Sequence, residues 1–315
     1  MKNISEILEN VKTVGIGGHI RPDGDCIGSC MALYLYIRKY FPDIEADVYL
    51  EDRKPVFDYI DRMDEVKTEA EEDKVYDLFI TCDVSALDRL AVARKYFDAA
   101  KKTACIDHHA SNDGYADYNY ILPKASSASE VLYDLLDEDL IDKSIAEPMY
   151  MGIAHDSGVF RFQSTTPKTM RIAANMIEKG VNVNMILEET FFRKTYNQMM
   201  VTAKIQSEAV LALDGKCIYG YCTSEMMEEY GVTTKDLDAV VASIRNVDGV
   251  EVAMFLYQLS EDSYKVSLRS KNYVDVSKIA VENGGGGHVR AAGAEIHGEL
   301  NDIINKLLNR IKQDI

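Results

Sequence analysis

Apolar residues in the N-terminal third of the chain fall in short unbroken runs: residues 13–20 (TVGIGGHI), 47–50, 76–82 (YDLFITC) and 103–106. Each run is followed by turn-forming or charged residues, the pattern of strands buried on both faces. Between them, residues 27–40 and 87–100 carry apolar positions at helical spacing. Strands alternating with helices predict an α/β fold with a doubly wound, mostly parallel sheet. Farther on, Ser127 and Glu130 fit a capping box ahead of Val131, Leu132, Leu135 and Leu136. Thr166, Pro167 and Gly180 bracket another helix with start and stop signals. Residues 182–213 read as helical, and after Asp214 and Gly215 strand-like segments return at 216–222, 250–259 and 264–270, mixed with helices. The expected organisation is a catalytic domain over 1–185, a helical connector over 186–213 and a smaller C-terminal α/β domain over 214–315.

A length of 315 residues agrees with two domains. No apolar run approaches the roughly 18 residues of a membrane span, and residues 1–10 show no leader pattern, so a cytoplasmic protein is expected with no membrane partner. Six cysteines, none in a CxxC pair, read as small buried thiols in a reducing compartment. A net charge of -17 disfavours long nucleic acid, whose binding draws on a basic surface that releases counterions. A small anionic substrate remains compatible if cations line one local cleft.

The chemistry gathers where the N-terminal strands stop, which is where open parallel sheets bind ligands. The first strand runs into His19, Asp23 and Asp25, the third ends at Asp83, and the fourth ends in Asp107, His108 and His109. Asp156 follows in what reads as a glycine-flanked turn between Gly152 and Gly158. Several carboxylates in one pocket raise one another's pKa and cannot all stay ionised unaided. Two divalent ions would balance Asp23, Asp25, Asp83 and Asp156, with Asp83 as the natural bridge and His19 and His108 at opposite ends. Oxygen and imidazole donors without thiolate favour manganese or magnesium over structural zinc. Such a pair activates water and clamps the oxygens of a phosphoryl displacement.

With these motifs the chain resembles the DHH phosphoesterase family, named for the triplet present here as Asp107, His108 and His109. The likeness extends over nearly the whole sequence: HIRPDGD at 19–25, CDVS around Asp83, GIAHDSGVFRF around Asp156, and GGGGHVRAAG at 284–293, the mark of the DHH-associated C-terminal domain. The resemblance implies His19, Asp23, Asp25, Asp83, His108 and Asp156 as metal ligands. It further implies His109 on the reacting phosphate and Arg269 and His288 as phosphate grips from the second domain, in a protein that is a homodimer. The nearest likeness within the family is to stand-alone bacterial enzymes acting on oligoribonucleotides of a few residues, on 3′-phosphoadenosine 5′-phosphate (pAp), or on cyclic di-AMP and its linear product pApA. The implied activity is hydrolysis of phosphate esters by a metal-activated hydroxide. The alternatives are an inorganic pyrophosphatase of the same superfamily and a catalytically silent nucleotide sensor.

The residues of the C-terminal motif support the same expectation. Gly285, Gly286 and Gly287, with Gly284 before them, expose backbone N–H groups to an anion without side chains in the way. His288 and Arg290 add donors, with Arg290 alternatively facing solvent, and Arg269 has the fork geometry suited to phosphate. Asp107 is placed to orient an imbedded imidazole from behind the ligands. His155 is open between a role in the site and packing, His297 reads as part of a solvated turn, and Cys26, Cys82 and Cys105 read as packing residues.

Overall fold

The computed structural model describes residues 3–70, 73–237 and 240–315; Lys2, part of the polar N-terminal stretch, lies outside them. Contacts divide the chain into two units, Met1–Arg193 and Lys194–Ile315. The first holds β1 (Thr13–Gly17), α1 (Gly24–Tyr40), β2 (Glu45–Tyr49), β3 (Leu78–Cys82), α2 (Arg94–Ala99), β4 (Thr103–Asp107), β5 (Tyr118–Ile121), α3 (Ala128–Leu135), α4 (Lys143–Asp156), α5 (Pro167–Glu178) and α6 (Val183–Leu187). Its five strands are all parallel in the order β2-β1-β3-β4-β5. Strand order reverses between β1 and β3, so the crevice at their carboxyl ends is the natural ligand position.

Both faces of this sheet are covered, which is why its strands are continuous apolar runs. Leu78, Ile80 and Cys82 of β3 point into the larger core with α1, while Phe79 points into a second cluster with Tyr49, Tyr76, Tyr96 and Phe97. Helix α1 is buried from Gly24 to Ile37, as expected of a helix apolar on every side. It lies against α4 so closely that a Cβ on Gly28 would stand 2.4 Å from the Pro148 carbonyl oxygen. Residues 87–100 depart from the expected single helix: two 3-10 turns, Leu87–Arg89 and Ala91–Ala93, precede the six-residue α2.

The capping box expected at Ser127 forms by half. Ser127 accepts from the Glu130 N–H, but the Glu130 carboxylate turns to the Ser126 N–H and to the hydroxyls of Ser126 and Thr169. Thr166 does cap α5 reciprocally with Thr169.

The second unit contains α7 (Tyr196–Glu208), β6 (Val210–Ala212), β7 (Cys217–Cys222), α8 (Ser224–Tyr230), α9 (Val240–Arg245), β8 (Val252–Ser260), β9 (Ser263–Ser270), α10 (Val276–Val281), β10 (Gly286–His288), β11 (Ala291–His297) and α11 (Leu300–Ile311). Its sheet is mixed, in the order β10-β11-β9-β8-β7-β6, with β7 and β8 the parallel pair. The helical stretch after residue 182 is shared between the units. Ile186 of α6 packs in the first core, whereas Val201 and Ile205 of α7 pack with Ile218, Val241 and Phe255 of the second.

Candidate metal centre

Each acidic residue of the expected cluster is held by backbone geometry. Asp23 caps α1, one carboxylate oxygen accepting from the N–H groups of Asp25 and Cys26 at 3.0 and 3.2 Å. Asp25, in the first turn of α1, places both oxygens on the N-terminus of α3, accepting from Ala128 N at 2.5 Å and Ser129 N at 3.0 Å. Exposed N–H groups and the helix dipole there favour a carboxylate anion. Asp83 follows β3 with φ of +59°, a left-handed conformation that aspartate tolerates better than most residues. Asp156 corrects the expectation of a turn: it is the last residue of α4, with Gly152 inside the helix. Gly152 serves packing there, because a Cβ would stand 2.1 Å from Ser129 Oγ and 2.8 Å from Asp25 Oδ1. The chain then passes through three left-handed residues, Gly158, Val159 and Phe160, strained for β-branched Val159.

These anchors bring the expected ligands together. Asp83 is 2 % exposed and divides its oxygens: Oδ2 lies 3.4 Å from His19 Nε2, and Oδ1 lies 3.5 Å from both His108 Nε2 and His109 Nδ1. His19 Nε2 is also 3.8 Å from Asp23 Oδ1, and His108 Nε2 is 3.0 Å from Asp156 Oδ2. His19 donates from Nδ1 to the Ile20 carbonyl at 2.7 Å, which fixes its tautomer and turns Nε2 toward the carboxylates. Among the described residues, donor atoms cluster as His19, Asp23 and Asp83; as Asp25, His108 and Asp156; as Asp83, His108 and His109; and as Asp23, His155 and Asp156, within 4.8 Å in each group.

The donor set fits divalent cations. Asp83 Oδ1 and His108 Nε2 are buried and make no hydrogen bond, although 3.5 Å apart, so they face a common point without satisfying each other. Burial, then repulsion from Asp83 and Asp156, drives the Asp25 carboxyl well above its ordinary pKa, even though two N–H groups hold it as an acceptor. A cation is the group that reconciles these opposing demands. Burial opposes a charge on His108, but Asp156 and Asp83 outweigh it and push the imidazole up to about 12. For His19, Cys26, Asp23 and Asp83 likewise overcome burial and raise the pKa.

Behind the ligands Asp107 meets an imidazole, and it is joined there by Asn112, which residue type did not reveal. Asp107 is fully buried and accepts from His109 Nδ1 at 2.7 Å and from Asn112 Nδ2 at 2.6 Å. Asn112 Nδ2 also donates to the Val84 carbonyl, which Tyr115 bonds at 2.7 Å. Asn112 thus ties the end of β4 to the residue after Asp83. Its position five residues beyond Asp107 was the available signal. Cys26, Cys82 and Cys105 are buried free thiols, and Cys26 Sγ accepts from the His19 N–H.

In the second unit, register aligns the expected phosphate grips. His288 on β10 pairs with Ala291 on β11, which pairs with Arg269 on β9. Opposed residues of antiparallel strands share a face, so Arg269 and His288 flank a small alanine about 10 Å apart on one side of the sheet. The next row on that face is Gly286, Gly293 and Ser267, leaving a shallow surface. The glycine run is no four-donor cradle: Gly284 and Gly285 donate their N–H groups to the carbonyls of Val281 and Ala280 at the end of α10. Gly287 (φ +142°) passes so close to β11 that a Cβ would meet the Ala291 carbonyl at 2.5 Å. Arg290 neither faces a ligand row nor hangs in solvent alone, since it bonds the carbonyls of Val274 and Asn272.

A parallel α/β sheet with aspartates and histidines converging at its switch point defines an α/β protein with a candidate metal centre. Residues 13–153 match the N-terminal domain of the DHH family, and residues 214–314 match the DHHA1 domain. The chain thus carries a DHH N-terminal domain followed by a DHHA1 domain. It is 29 % identical over 321 residues to the bifunctional oligoribonuclease and PAP phosphatase NrnA of Thermus thermophilus, covering 100 % of this chain and 94 % of that protein. It is 28 % identical to the protein of the same name in Bacillus subtilis, over 90 % of each chain. The fold is shared with the crystal structure of an exopolyphosphatase-related protein from Bacteroides fragilis, at a TM-score of 0.89 and 22 % identity over 98 % of this chain and 95 % of that one.

Proposed function

We propose that this protein is a metal-dependent phosphoesterase that hydrolyses phosphate esters of short nucleotides, oligoribonucleotides of a few residues and pAp foremost, with manganese as its metal. Support comes from the activities for which its full-length relatives are named and from one geometric observation: buried Asp83 divides its two oxygens between His19 on one side and His108 on the other. His19, Asp23 and Asp83 would hold one ion, and Asp25, Asp83, His108 and Asp156 a second. Such a pair, when bound, supplies a water acidic enough to attack at neutral pH and positive charge for the phosphoryl oxygens.

The remaining work falls to the chain. Asp107 and Asn112 hold the His109 ring in one orientation, and His109 contacts the reacting phosphate. Asp25, pinned on the α3 N-terminus, keeps its oxygens from swinging as substrate charge arrives. Arg269 and His288 supply phosphate-binding donors on the second unit. The net charge of -17 disfavours long nucleic acid as substrate.

The test is a substrate panel. Metal-free protein is restored with manganese or magnesium and offered pAp, pApA, cyclic di-AMP, a five-residue RNA, a long RNA and pyrophosphate. Fast turnover of short nucleotides with slow turnover of long RNA and pyrophosphate is expected. Pyrophosphate as the best substrate, or no metal-dependent turnover of any, overturns the proposal.

A further inference from the structure

His155 lies at the C-terminal end of α4 with its ring fixed from two sides. A Cβ on Gly24, the first residue of α1, would stand 2.7 Å from the imidazole Cγ and Cδ2, so the ring rests against bare backbone. The Phe191 ring lies 5.7 Å away, centroid to centroid. Between them, His155 Nδ1 is buried and makes no hydrogen bond, although Asp156 Oδ1 is only 3.6 Å away. A buried nitrogen without a partner is costly, and a ligand would relieve that cost.

Asp156 faces two imidazoles with different oxygens, Oδ2 toward His108 at 3.0 Å and Oδ1 toward His155 at 3.6 Å. The His108 side belongs with Asp25 and Asp83. The His155 side instead gathers with Asp23, one donor atom from each of Asp23, His155 and Asp156 lying within 4.8 Å of the others. Donors about 2.0–2.2 Å from an ion stand roughly 3–4 Å apart, so a small inward movement completes a site.

We propose that Asp23, His155 and Asp156 form a third divalent-cation site, distinct from the two that meet at Asp83. It rests on the reading of the cluster as a divalent-metal centre. Its imidazole and carboxylate donors suit manganese or zinc. The third ion binds more weakly than the pair, because Asp23 and Asp156 already share their charge with the other two.

Metal-free protein dialysed against manganese, in salt sufficient to suppress surface binding, then analysed for bound metal, tests this without reference to turnover. Wild-type protein is expected to hold three ions per chain, and His155→Ala two. The unfolding transition of each metal-free protein reports whether the variant folds. His155→Cys provides the second arm: its thiolate should recover the third equivalent with cadmium. Two ions in wild type and His155→Ala alike overturn the third site and leave the pair standing. Fewer than two in wild type overturns both readings. Should His155→Ala fail to fold, the cysteine variant decides, three cadmium ions upholding the site and two overturning it.

Discussion

The carboxyl ends of β1, β3 and β4 and the outer rows of β9, β11 and β10 solve opposite electrostatic problems. In the first region, like charges are buried together: Asp25 and Asp107 are wholly inaccessible, and helix termini and backbone N–H groups hold the carboxylates in place. In the second, Arg269 is half-buried and His288 exposed, on a surface of alanine and glycine. Burial sets how much each residue matters. A buried anion among anions must have a cation, whereas an exposed donor adds affinity that solvent partly replaces.

The difference is sharpest at Asp83. Asp83→Asn should lower turnover by more than the roughly 10–100-fold that a residue behind metal ligands costs, and it should weaken metal retention as well. Steady-state kinetics at saturating manganese, with metal analysis of the purified variant, checks both; near-normal turnover contradicts the bridge. Asn112→Ala is the next step outward. It leaves Asp107 short of one bond and should cut kcat about 10–100-fold with KM little changed. A rise in KM alone would place Asn112 outside the positioning chain.

Arg269→Ala should show the reverse split. Loss of a charged hydrogen bond, about 1.5–3 kcal/mol, corresponds to a KM increase on the order of 10–100-fold with kcat nearly kept. A kcat loss without a KM change would move Arg269 from substrate grip to chemistry. The mildest effect concerns protons. In the metal-free protein the pKa of His108 is raised to about 12 and that of His19 is also raised, so both imidazoles carry protons at neutral pH that a metal must displace. Protons therefore compete with metal, and affinity should fall as pH is lowered from neutrality, with about two protons released per pair bound. Calorimetry in buffers of different ionisation enthalpy measures that release; tighter binding at lower pH contradicts it.

Much of the first region was legible because strand ends and ligand residue types coincide. The runs at 13–20 and 76–82 contain β1 and β3, the run at 103–106 covers all of β4 but its last residue, and His19, Asp83 and Asp107 stand at or just past the ends of those strands. What escaped has identifiable causes. Gly152 and Gly158 resemble turn punctuation, yet Gly152 lies mid-helix because Asp25 and Ser129 occupy the space of its side chain. Asn112 carries no typed chemistry, and its importance comes from contacts with Val84 and Asp107. Strand β5 is partly exposed and polar in part, without a clean two-residue alternation. Strands β10 and β11 are rich in glycine and alanine, residues of low strand propensity, and form by tight backbone pairing with β9 and each other. In the second region Arg269 and His288 could be named as candidates from residue type, but their alignment could not be read, since register is a property of paired strands.

On the proposed function, separate stretches of the chain converge to capture a pair of cations across Asp83. Crystals grown with manganese and measured at its absorption edge test it directly. Anomalous peaks are expected on both sides of the Asp83 carboxylate, one beside His19 and Asp23 and one beside Asp25, His108 and Asp156. Manganese found only at the surface, with nothing against Asp83, would contradict it.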